Sequence, residues 1–252
     1  MIIIGLTGGI GHGKSTFADY LANNASHHGH WESGEVIAEV AALLRISGIS
    51  SPPPTNLLAI NSWLSPLPKI LELTVHVRID APIALTQSDL SSPPDQFRQL
   101  IAYLRSVQAE PLHKYDPITS TNKELIRPLL QWLGGYLAKT VSDDIWYKEI
   151  VRRVQATPDL QLATISGLRF PADAACLRAA GGKIMSIIRP QLKQLDLHDV
   201  TERERALISV ESIIYNDASL AHLAACAQLV YVDLISDMLA REYRTSAVIS
   251  VS

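Results

Sequence analysis

The 252-residue chain has only two cysteines, Cys176 and Cys226, far apart and each set among apolar neighbours. That excludes a disulfide-stapled scaffold and a cysteine-held metal, and it fits a reducing compartment. No run of about 18 uninterrupted apolar residues occurs, so no membrane contact is expected. A dominant charge is also missing: the formal net charge is -3 without a long basic run, which argues against nucleic acid as a partner. The opening MIIIGLTGGI lacks the charged start and cleavage signature of a secretory signal. With 47% hydrophobic and 19% charged residues, the chain has the means to fill a core. A soluble, cytoplasmic protein is expected.

Ile2–Thr7 is a continuous apolar run, the pattern of a strand buried on both faces. From Lys14 the composition turns helical, with Phe17, Tyr20 and Leu21 on one face. HHGHWES reads as a connector, and Ser33 can cap the helix GEVIAEVAALLRI. Residues 47–68 are proline-rich and read as an irregular excursion with one short helix, whereas LELTVHVRIDAP fits a strand or a helix. SSPPDQFRQLIAYLRSVQAEP reads as a helix entered through two prolines, with further helices at 121–139 and 143–155. Beyond Pro158 strands and helices alternate: LQLATIS, FPADAACLRAAGG, KIMSIIRP, VTERERALISVE, SIIYN and a long closing helix. Such alternation implies a parallel sheet with helices on both faces, a three-layer α/β/α domain over 1–252. A mostly helical insertion at about 47–120 would act as a lid or acceptor-binding piece.

Within GLTGGIGHGKST, Gly8, Gly13, Lys14 and Ser15 match G-x-x-x-x-G-K-[ST], the Walker A pattern of a phosphate-binding loop. Glycines, here including Gly9 and Gly11, let the backbone turn its N–H groups inward, and the following helix N-terminus adds to the attraction for anions. His12 and Thr16 complete the loop, Lys14 is suited to the β- and γ-phosphates, and Ser15 to Mg²⁺. A guanine-reading N-K-x-D motif is absent, since Asn122-Lys123-Glu124-Leu125 lacks the aspartate. A kinase of small molecules is the better match.

LTGGIGHGKST resembles the opening of dephospho-coenzyme A kinases and of phage-type deoxynucleoside monophosphate kinases. KELIRPLLQWLGGYL with DDIWYKEIVRRV, then ISGLRFPADAACLRAAGGKIMSIIRP, then DVTERE…SIIYNDASLAHL resemble successive stretches of the second family. That resemblance implies a P-loop kinase fold, ATP and Mg²⁺ as cofactors, and a small-molecule nucleotide acceptor, with room for a homodimer. Residues 47–110 resemble nothing placed. Two departures stand out: Gly167 replaces an aspartate of the family pattern, and Ala138-Lys139 replaces its second arginine. Asp80 becomes the candidate substitute near the metal if VRIDAP is a strand ending by the loop; Ser166 and Asp173 are others.

Phosphoryl transfer between anions requires cations around two facing phosphates, and arginine's planar fork suits them. The resemblance makes Arg127, with Gln131 one turn on, a candidate for catalysis and acceptor binding; the alternative is a surface arginine beside an amide. Arg169 and Arg189 each follow a strand at its C-terminal end, where ligands sit in open parallel sheets. Glu35, opening the second helix, is either an acceptor contact or a favourable helix-end charge. Asn216 either reaches the donor base or forms a turn. His27, His28 and His30 read as a solvated loop, and Trp63, Trp132 and Trp146 as core. Two alternatives stay open: dephospho-coenzyme A phosphorylation with Asp80 as base, and a non-catalytic nucleotide-binding regulator.

Overall fold

The computed structural model describes residues 1–47, 55–80, 82–109, 116–119, 121–192 and 200–249, with backbone alone for 200–202 and 241–249. In chain order the elements are β1 (Ile2–Thr7), α1 (Lys14–Ala22), β2 (His28–Glu32), α2 (Ser33–Ser47), α3 (Leu57–Leu64), α4 (Leu67–Thr74), α5 (Gln87–Ser91) and α6 (Asp95–Ala109). They continue with α7 (Lys123–Thr140), α8 (Ile145–Ala156), β3 (Leu162–Ser166), α9 (Pro171–Ala179), β4 (Lys183–Ile188), α10 (Val200–Ala206), β5 (Ser212–Tyr215) and α11 (Leu220–Ile249). They form two compact units: Met1–Glu32 with Ile150–Ser252, and Ser33–Glu149.

The first unit carries a five-stranded, all-parallel sheet in the order β2-β3-β1-β4-β5. Apolar β1 takes the central place and is buried throughout, as is β3, because only strands covered on both faces can be uniformly apolar. On one face Ile2, Ile4, Leu6, Met185 and Ile187 pack with Phe17 and Leu21 of α1 and with Leu223, Ala227 and Leu234 of α11. On the other, α9 comes so close that a Cβ on Gly5 would touch Leu177. Asp173 fixes the start of α9, its Oδ2 accepting the amides of Arg169 and Phe170 at 2.9 Å each. The stretch Leu220–Ala240 of α11 is long and apolar enough to cross a membrane by length and composition, but its Leu223, Ala227 and Leu234 form part of the sheet's core.

The expected connector HHGHWES is instead a strand. β2 is an edge strand with no fully buried residue, so it has no apolar run to announce it. Its pairing with β3, His28↔Leu162 through Glu32↔Ser166, comes from the neighbour rather than from its own composition.

The second unit is helical. α6 and α7 pack along each other, and α2 packs on α4 and α7. The 47–68 excursion holds the one short helix expected, α3, and ends where α4 begins at Leu67, while 48–54 lie outside the described residues. Of the ambiguous LELTVHVRIDAP, α4 takes the first part and 75–80 form neither helix nor strand. Trp63, Trp132 and Trp146 are buried; Trp132 stacks on Tyr136 at 5.3 Å and Trp63 on Tyr103 at 6.1 Å.

Candidate active site

The chain leaves β1 at the C-terminal edge of the sheet and turns through the glycine loop into α1. Gly8 adopts φ +140, and a Cβ there would overlap the Ile187 carbonyl oxygen of β4; only glycine lets the loop lie so close to its neighbour strand. Gly13, at φ +97, ends the turn as the N-cap of α1, where a Cβ would come within 2.5 Å of Asn216 Nδ2. Gly13 offers no side chain to cap the first amides of α1, and the first turn holds no acidic residue. A helix start left in this way is suited to an anion. Lys14 Nζ donates to the carbonyls of Gly8 and Gly9, 2.9 Å to each, arching back over the loop. The His12 ring seats on the end of β4, with Nδ1 3.2 Å from the Ile187 carbonyl and 3.3 Å from the Arg189 amide. Asn216 Nδ2 donates to the His12 carbonyl at 3.0 Å, and its own amide donates to Ile188 at 2.7 Å.

Beside the loop, β2 and β3 build a polar ladder that the sequence reading missed. Their register places His30 opposite Thr164 and Glu32 opposite Ser166, and residues two apart share a face. Ser166 donates its hydroxyl to Glu32 Oε1 at 2.6 Å. His30 Nε2 lies 3.2 Å from Ser166 Oγ and 3.5 Å from Glu32 Oε1, and its Nδ1 is 2.8 Å from Thr164 Oγ1. Since the Ser166 proton goes to Glu32, His30 Nε2 carries a hydrogen toward the Ser166–Glu32 pair, and the Thr164 hydroxyl, 2.8 Å from Nδ1, donates to the Gly29 carbonyl at 3.4 Å. The Glu32 carboxyl is lowered from 4.5 to about 2, first by hydrogen bonding to His30, then by Ser166 and by the charges of His30 and Lys14, against the opposing push of burial. The folded value lies below the unfolded one, so the stabilisation is complete above about pH 4.5 and is lost as pH falls toward 2. The melting difference between the wild type and Glu32→Gln is therefore expected to shrink as pH falls from about 4.5 toward 2.

A family model described as deoxynucleotide monophosphate kinase matches residues 93–226, more than half of the chain. The chain belongs to that family. No curated protein matches it. The deoxynucleotide monophosphate kinase match starts inside the 47–110 stretch that had resembled nothing and runs from the entry of α6 into α11. It leaves out the glycine loop, whose reading rests on its own geometry.

Of the residues expected in the kinase site, the sheet unit places Lys14, Ser15, Arg169, Arg189 and Asn216 at the C-terminal ends of its strands or on the loop. Arg169 and Arg189 are exposed and, among the described residues, neither guanidinium is engaged. The helical unit carries Glu35, Arg127 and Gln131, all exposed. Arg127 Nε donates to Glu124 Oε2 at 2.8 Å, and its other contact with Glu124 completes an exposed pair one turn apart.

Three carboxylate and hydroxyl candidates need correction. Asp80 does not end a strand: it lies in the irregular 75–80 stretch of the helical unit, exposed and paired with Arg78 at 3.0 Å. Asp173 holds the turn before α9, and Ser166 serves Glu32. Glu32 lies in the stretch expected to be a connector; its cue in the sequence is the alternation of His28, His30 and Glu32 before a helix cap.

Proposed function

We propose that the protein transfers the γ-phosphoryl group of ATP to a deoxynucleoside monophosphate. The observation that carries this reading is the Gly8–Lys14 loop between a buried strand and an uncapped helix, in a chain of a deoxynucleotide monophosphate kinase family. Amides of Gly9, Gly11, Gly13 and Thr16 receive the donor phosphates, with His12 seating the loop on β4. Lys14 exchanges its hold on the Gly8 and Gly9 carbonyls for phosphate oxygens, neutralising charge that grows toward the transition state. The exposed Ser15 hydroxyl is a hard oxygen donor of the type Mg²⁺ takes and would hold the ion, which would supply charge neutralisation to the phosphates.

Arg169 and Arg189 supply cations from the ends of β3 and β4, where ligands meet open parallel sheets. Glu35, Arg127 and Gln131 contact the acceptor, and the exposed Glu124 pair costs Arg127 little to exchange. Asn216 spends its Nδ2 on the loop, leaving Oδ1 for the nucleotide. No base is needed, because a monophosphate acceptor is already ionised at neutral pH. Phosphorylation of a coenzyme hydroxyl would need one, and Asp80, exposed and bound to Arg78, is a poor choice.

The test is ADP formation from Mg-ATP with ribo- and deoxyribonucleoside monophosphates and dephospho-coenzyme A offered separately. Stimulation by a deoxynucleotide is expected. Turnover with dephospho-coenzyme A alone, or ATP binding that no acceptor converts to turnover, would overturn the proposal.

A further inference from the structure

A triphosphate held by a glycine loop brings a divalent cation, which asks for the hydroxyl after the loop lysine and for a carboxylate close by. β3 is the strand paired with β1 on the side of the polar ladder, and its end offers Ser166 and then Gly167, neither of them an acid. Gly167 sits at φ +87, a conformation that costs an aspartate strain. The nearest acid in sequence, Asp173, is tied to the Arg169 and Phe170 amides.

Glu32 reaches the same place from one strand further out. It is in register with Ser166, and Ser166 is in register with Leu6 of β1, two residues before Gly8. Ser166 fixes Oε1 by the 2.6 Å bond, whereas Oε2 accepts no hydrogen bond among the described residues. The Lys14 ammonium is near enough to help keep the carboxyl ionised. We infer that Glu32, held by Ser166, is the carboxylate that positions the divalent cation on the nucleotide phosphates, in place of the acid that Gly167 does not supply.

This inference rests on the kinase reading and has a readout separate from turnover. ATP is titrated calorimetrically into the wild type, Glu32→Gln and Glu32→Asp, in excess chelator and over a Mg²⁺ series. Metal-free ATP affinity is expected to be the same in all three proteins. The Mg²⁺ needed for half of the metal-dependent tightening should rise about 10- to 100-fold in Glu32→Gln and return toward the wild type in Glu32→Asp. A wild-type Mg²⁺ dependence in Glu32→Gln overturns the inference and leaves the kinase reading standing. Loss of ATP binding with and without metal in both variants also overturns it, since the residue would then hold the fold alone. A wild type that binds no ATP removes the kinase reading and the inference together.

Discussion

Lys14→Ala is expected to lower kcat/KM for phosphoryl transfer by about 10³-fold, roughly 4 kcal/mol of transition-state stabilisation. The size follows from the side chain's place. Its ammonium is held 2.9 Å from two carbonyls of the loop that is to receive the phosphates, so it is organised before the donor arrives. Stability should change far less. The two hydrogen bonds are partly buried and join a flexible chain to backbone, worth about 1 kcal/mol net. For a chain of this size that is a melting shift of roughly 2–4 °C. Steady-state ADP formation with scanning calorimetry separates the two effects. Activity within tenfold of the wild type would remove Lys14 from the site.

Gly8→Ala should act in the opposite order, on the fold first. A non-glycine residue at φ +140 costs about 1–3 kcal/mol in backbone strain. The new Cβ would also overlap the Ile187 carbonyl, and Ile187 cannot withdraw because β4 is held between β1 and β5. Overpacking of this type adds about 1–3 kcal/mol. A total near 3 kcal/mol or more corresponds to a fall in melting temperature of roughly 6–12 °C. ATP binding should be lost even below the transition, because relief of the overlap moves the loop. A variant that melts with the wild type and binds ATP would show that the loop does not lie against β4 as described.

The parts of the structure legible in sequence are those whose composition is set by burial. β1, β3 and β4 are apolar because both faces of the central sheet are covered, and the loop between β1 and α1 is marked by glycines that no other residue replaces. β2 was illegible for the reverse reason. At the sheet edge its residues stay partly exposed, so HGHWE carries no run of branched side chains, and only the neighbouring β3 makes it a strand. Asp80 misled by the same logic: Val75, Val77 and Ile79 alternate as a strand would, yet the stretch pairs with nothing in the described sheet. Arg127 shows a milder form of the problem, since Glu124 three residues earlier is a visible partner in the sequence.

The interrupted sheet also sets an order of assembly during synthesis. β1 is made first, yet its partner β3 lies 160 residues on in register, from Ile2 to Leu162. At ~5–20 residues per second that is a wait of roughly 8–32 s, in which the apolar Ile2–Leu6 segment has no strand to pair with. The Ser33–Glu149 unit, built from helices whose contacts are mostly local, can form in the meantime. Its folding shortens the effective loop that β1 and β3 must close. Helical substitutions far from the glycine loop, such as those in the α6–α7 packing, are therefore expected to lower the yield of folded protein more than the stability of the molecules that do fold.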